Sequence, residues 1–147
     1  MARRIALVLL GLVLILGGIA CAPKPVGPTA GAGYVFSLQV SDTIIWFGVL
    51  DSIAAARLPQ ATEVIVRVQD TQGRAVEGVP VTFALEPEWV GSAKLVPSQT
   101  TTQGGIARAV FSEPKTTGAV RVMAHVDNST AQARLTVQRY DPPSSKD

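Results

Sequence analysis

Side chains able to do chemistry are few in this sequence, and their spacing does not suit it. There is one cysteine, Cys21, and one histidine, His125. A transition-metal site of the usual nitrogen and sulfur ligands needs three or four donors converging on one point, so none can be assembled. Glu86 and Glu88 flank Pro87 and come nearest to a carboxylate pair. Two acids in a Pro-containing loop are ordinarily solvated, and the pairing needed for glycoside hydrolysis does not follow from them. The alternating-acid spacing of a calcium loop is absent, as are a phosphate-cradling Gly loop and a serine elbow. Asn128-Ser129-Thr130 matches a glycosylation sequon and carries no other chemistry. These residues predict a protein that is not an enzyme, with no catalytic residue, no metal and no cofactor.

Two tryptophans remain as possible contact residues. Trp46 and Phe47 are adjacent, so on a strand they face opposite ways. One belongs to a core, and the other is either covered by the 50–60 loop or displayed. Trp89, in the Trp89-Val90-Gly91 loop, is either tucked over an open end of the fold or presented to a partner. Displayed together, Trp46 and Trp89 would offer a stacking platform for a sugar.

The chemistry open to Cys21 depends on its position. Met1-Ala2-Arg3-Arg4 is a basic start, and Ile5 to Ala20 is an apolar run without a charge. About sixteen residues at 1.5 Å each reach roughly 24 Å, short of the ~30 Å hydrocarbon layer, which favours a signal-peptide core over a permanent span. The run ends Leu16-Gly17-Gly18-Ile19-Ala20-Cys21. That ending resembles a lipobox, the bacterial lipoprotein signal, with Gly18 standing where the signal usually carries Leu. The resemblance implies cleavage after Ala20 and acylation of the Cys21 thiol. The membrane partner would then be reached through the acyl chains, two or three of which hold a protein stably. Ala20-Cys21-Ala22 also fits a small-x-small cleavage site, which would release a soluble secreted protein.

The flanking composition fits a tethered module. Residues 1–20 read as a signal peptide, and 21–33 as the lipidated cysteine with a tether rich in Pro and Gly, a composition that favours a solvated spacer over helix or ladder. Residues 141–147 read as a disordered tail. The formal charge of +2 is carried by Arg3 and Arg4, so the chain without its leader is neutral. Neutrality without a basic cluster argues against nucleic acid as a partner. With one cysteine no internal disulfide can form, so the folded part must rest on its core.

Between residues 34 and 140 the dominant period is two. Val64, Val66 and Val68 share a face against Glu63 and Arg67. Val81, Phe83 and Leu85 do the same. So do Ala107, Ala109 and Phe111 against Arg108, then Val120, Val122, Ala124 and Val126 against Arg121, Met123 and His125. Ala131, Ala133, Leu135 and Val137 complete the set. Asp70-Thr71-Gln72-Gly73, Gly104-Gly105 and Asp127-Asn128-Ser129 supply turns between these runs. Upstream, Tyr34–Val40 and Thr43–Gly48 read as two further strands, and Asp51 caps a single helical turn over Ser52–Ala56 before Pro59 stops it. Short strands at regular spacing predict an all-β sandwich of about seven strands.

Val68-Gln69-Asp70-Thr71-Gln72-Gly73 and the following Val76, Gly78, Val81 and Phe83 resemble the V-x-D-x-x-G-x-x-V-x-G-x-x-V-x-F stretch of group 1 bacterial immunoglobulin-like domains, the repeats of invasin and intimin. Thr102-Gln103-Gly104-Gly105-Ile106-Ala107 is similar to their T-(D/N)-x-x-G-x-A turn, with Gln103 in place of the usual acid. Gly118 to Ala124 resembles their G-x-x-x-V-x-A strand. The resemblance implies an immunoglobulin-like antiparallel sandwich over 34–140 and an extracytoplasmic setting. It implies structural roles for the motif residues, not a binding site. The expected protein is therefore an extracytoplasmic cell-envelope lipoprotein, lipid-anchored to a bacterial membrane, presenting one domain as a non-catalytic binding or spacer module. A structural lipoprotein of a membrane complex and a carbohydrate-binding module are the alternatives. The protein or glycan partner, and the choice of inner or outer membrane, are not written in the residues.

Overall fold

The computed structural model describes residues 29–30, 33–86 and 93–142. The signal-peptide and lipidation positions, Ala20 and Cys21 among them, lie outside the described residues, as do Glu88 and Trp89. Ten strands and one short helix are present among the described residues: β1 (Thr29–Ala30), β2 (Tyr34–Val40), β3 (Ile44–Gly48), α1 (Ser52–Arg57), β4 (Thr62–Asp70), β5 (Pro80–Glu86), β6 (Lys94–Val96), β7 (Gln99–Thr101), β8 (Ile106–Ser112), β9 (Gly118–Val126) and β10 (Ser129–Tyr140). Seven of these strands are five residues or longer, in agreement with the expected number. β1 falls inside the stretch read as tether. Its two residues, neither of them proline, lie antiparallel to β2, with Thr29 opposite Phe36 and Ala30 opposite Val35.

The strands make two five-stranded sheets, β1-β2-β4-β8-β6 and β3-β10-β9-β5-β7. Val64, Val66, Val68, Phe111, Val120, Val122, Val126 and Leu135 are fully enclosed between them. Each such side chain stabilises the fold by about 1.5–3 kcal/mol when withdrawn from water. Every inward residue expected from the two-residue period is buried or packed against this core, Leu85 being the partly buried one.

The antiparallel expectation holds for every described pairing but one. β3 runs parallel to β10, with Ile44 opposite Thr136 and Gly48 opposite Tyr140. The reason lies in how the chain changes sheets. Ser41 N–H still donates to Glu63 O at 3.0 Å, while Thr43 O already accepts from Thr136 N–H at 2.8 Å. Between them Asp42 N–H donates to the buried Thr62 Oγ1 at 2.8 Å. The chain thus passes from one layer to the other without reversing direction. Inward in the first layer is outward in the second, so the apolar parity must flip. It runs Phe36, Leu38, Val40, then Ile45 and Phe47. That flip blurs the alternation in this part of the sequence.

Strand directions place the chain's entry and exit at opposite ends. The end of β4 meets the segment leading into β5 through an Asp70 N–H to Arg74 O bond of 2.9 Å. From there the antiparallel pairs orient β2, β5, β8 and β10 alike, and β3 with them. Tyr34, the 70–78 turn, Thr102–Gly105 and the Asp127-Asn128 hairpin share the entry end. Gly48, α1, the 113–117 loop and Tyr140 share the exit end.

Candidate functional site

The motif residues of the 70–78 turn and of Thr102–Gly105 occupy the entry end, while Gly118 opens β9 at the other. The polar atoms of the entry-end residues are used internally. Asp70 Oδ1 accepts from the backbone N–H groups of Gln72 (2.8 Å) and Arg74 (2.9 Å), and its Oδ2 accepts from Arg74 Nε at 2.7 Å. The Arg74 amide, then its guanidinium, hold the Asp70 carboxyl below the usual carboxylate range. Gly73 sits at φ +80, a left-handed turn position that glycine takes without steric cost.

Thr102 joins two segments far apart in sequence. Its Oγ1 accepts from Val79 N–H at 2.9 Å and donates to Val76 O at 2.7 Å. Its backbone accepts from Gly78 N–H and donates to Val79 O, both at 2.9 Å. Gly105, at φ +75, lies so close to the same segment that a Cβ there would come within 2.7 Å of Ala75 Cβ and 2.9 Å of Val68 O. Glu77 Oε2 accepts from Gly104 N–H. Asp70, Glu77 and Thr102 are therefore committed to closing this end of the sandwich.

The exit end is built differently. Asp51 caps α1, its Oδ1 accepting from Ile53 N–H (2.9 Å) and Ala54 N–H (2.8 Å). Its second oxygen accepts from the hydroxyl of Tyr140 at 3.0 Å. The bonds from Ala54, Tyr140 and Ile53 hold the Asp51 carboxyl low, and the carboxylate in turn raises the Tyr140 phenol above its ordinary value. Sequence reasoning found the Asp51 cap but missed Tyr140, whose only signal was a position at the end of the last strand.

Trp46 and Phe47 separate as their adjacency requires. Phe47 packs against the core, while half-buried Trp46 lies on the outer side and donates its backbone N–H to Pro59 O at 2.8 Å. The segment after α1 thus covers the open edge of β3. Trp46, Phe47, Leu50, Gln60 and Pro114 line a cleft of about 390 Å³. Beside it in sequence, Val49 and Ile53 are 79% and 65% exposed. Trp89 lies outside the described residues, so of the two possible contact aromatics only Trp46 has a described position.

The remaining candidates do not converge. His125 Nδ1 lies 2.8 Å from Thr130 Oγ1 across the β9–β10 hairpin. Glu86 pairs with Arg121 at 3.1 Å, an exposed bridge worth at most about 1 kcal/mol. Among the described residues no group of three His, Cys, Asp or Glu side chains could hold a metal ion, and no helix is long and apolar enough to cross a membrane.

No protein-family model matches the chain, and no curated protein matches it. Solved structures do. A C-terminal fragment of intimin, in complex with the intimin-binding domain of its translocated receptor, superposes with a TM-score of 0.50 at 20% identity, over 68% of this chain and 31% of that one. The Escherichia coli adhesin FdeC gives 0.54 at 22% identity, over 72% and 31%. A glycosyl hydrolase family 2 member from Bacteroides cellulosilyticus gives 0.54 at 19% identity, over 75% of this chain and 15% of that enzyme. The chain thus spans about a third or less of each of these neighbours. Likeness at these identities establishes the fold alone: an all-β, immunoglobulin-like sandwich of the kind found in these neighbours.

Proposed function

We propose that this sandwich is the presented module of a cell-envelope lipoprotein, held to a bacterial membrane by acyl chains on Cys21 and acting by binding or spacing rather than by catalysis. The observation that carries the non-catalytic part is the internal use of the motif's polar groups. Asp70, Glu77 and Thr102 spend their hydrogen bonds closing the entry end, and the other titratable candidates stand apart. Neighbours of the same fold include intimin, which binds a translocated receptor, and the adhesin FdeC. They support a protein partner and an extracytoplasmic setting here. The lipid part rests on Ala20-Cys21 following an apolar run too short to span comfortably.

The test is to express the wild type and Cys21→Ser in a bacterial host and compare fatty-acid labelling and membrane partitioning. Loss of label and release to the soluble fraction in the variant is expected. Equal labelling of both chains would remove the anchor.

A further inference from the structure

We infer that the domain is a force-resisting link, in which β10 and β3 form a shear clamp closed at its far end by the Asp51–Tyr140 hydrogen bond. The argument begins with direction. The chain enters at Tyr34 and leaves at Tyr140, at opposite ends of the sandwich, and β2, β3 and β10 all run from the first end to the second. Tension between the two ends therefore drags β2 and β3 toward the entry while it drags β10 toward the exit. The parallel ladder from Ile44–Thr136 to Gly48–Tyr140 is loaded along its length, so its pairs resist together. The β2–β4 ladder, from Tyr34–Asp70 to Val40–Val64, is loaded in the same sense. Among the described strands on this load path, the two-residue β1 is free to peel first.

Two features reinforce the last pair of the clamp. Gly48 stands so close to Tyr140 that a Cβ would come within 2.7 Å of the Tyr140 carbonyl oxygen. The absent side chain lets β3 stay against β10 to its final residue. Beyond that pair, the Tyr140 hydroxyl reaches across to Asp51 Oδ2, tying the end of β10 to the helix that follows β3. The Trp46–Pro59 bond holds the outer edge of β3 in place. Sliding β10 toward the exit must break the side-chain tie along with the ladder.

A tethered spacer is where such tension would arise, so the biological use of the clamp rests on the proposed function. The clamp itself is a property of the folded domain. A pulling experiment can fail while acylation succeeds, and the reverse.

Cys21 is the sequence's one thiol, so a handle can be placed on it in the unacylated full chain kept in detergent, with a second handle on a cysteine-free tag at the C-terminus. A second axis uses Cys21→Ser with Thr116→Cys, which puts both handles at the exit end and peels β10 from β9 pair by pair. Single-molecule pulling should give a severalfold higher unfolding force along the first axis. Tyr140→Phe should lower that force and leave the second unchanged. Equal forces along the two axes, or a Tyr140→Phe loss of the same size in both, would overturn the clamp.

Discussion

Thr102 gives the sharpest test of how this fold is closed. Replacing it with valine keeps the branched shape and removes the hydroxyl. Thr102 is 1% exposed and Val79, whose amide it receives, is 4% exposed, so water cannot take over the lost bond to Val79, while the one to Val76 is only partly buried. Two neutral hydrogen bonds at ~1 kcal/mol each disappear, and a buried N–H left without a partner costs ~1–3 kcal/mol; because these overlap, a net loss of about 2–4 kcal/mol is expected. For a domain of this size a loss of that order lowers Tm by roughly 10–20 °C. Urea and thermal unfolding followed by circular dichroism would measure it. Thr102→Ser keeps the hydroxyl and should lose only about 1 kcal/mol for the missing methyl group. A Thr102→Val protein within about 0.5 kcal/mol of wild type, or Ser as damaging as Val, would refute the reasoning.

Further consequences follow from the two ends. Asp51 and Asp70 have folded pKa values below their ordinary 3.8, so the stability they contribute is present above that pH and is lost as pH falls through the lower folded values. Tyr140 has a folded value above 10.0, so its contribution is present below pH 10 and is lost as pH rises through the folded value. Stability measured against pH should therefore fall at both extremes, with Tyr140→Phe flattening the alkaline limb and Asp70→Asn part of the acid one. Gly105→Ala combines a left-handed backbone with a 2.7 Å approach to Ala75, and a loss of ~1–3 kcal/mol is expected; unchanged urea midpoints would contradict the close approach. Phe111→Ala empties a fully buried site between the sheets and should cost ~3–5 kcal/mol by the same assay, while a loss under about 1 kcal/mol would show that the site is not core.

Much of this molecule was legible one strand at a time. The two-residue alternation is a property of neighbours along the chain, so β4, β5, β8, β9 and β10 and their inward residues could be read directly. The Asp51 cap and the Asp127-Asn128 turn were equally local, since each satisfies backbone groups within a few residues. Short β6 and β7 escaped notice, because three residues are too few to establish a period.

Pairing across long separations belonged to the tertiary structure alone. The choice of β10 as a parallel neighbour for β3, the Thr102 tie to Val76 and Val79, and the Tyr140 reach to Asp51 join residues whose spacing along the chain carries no periodic trace. Local repetition records which way a side chain faces. Which distant strand it comes to face is decided only when two layers close on one another and each buried polar atom must find a partner.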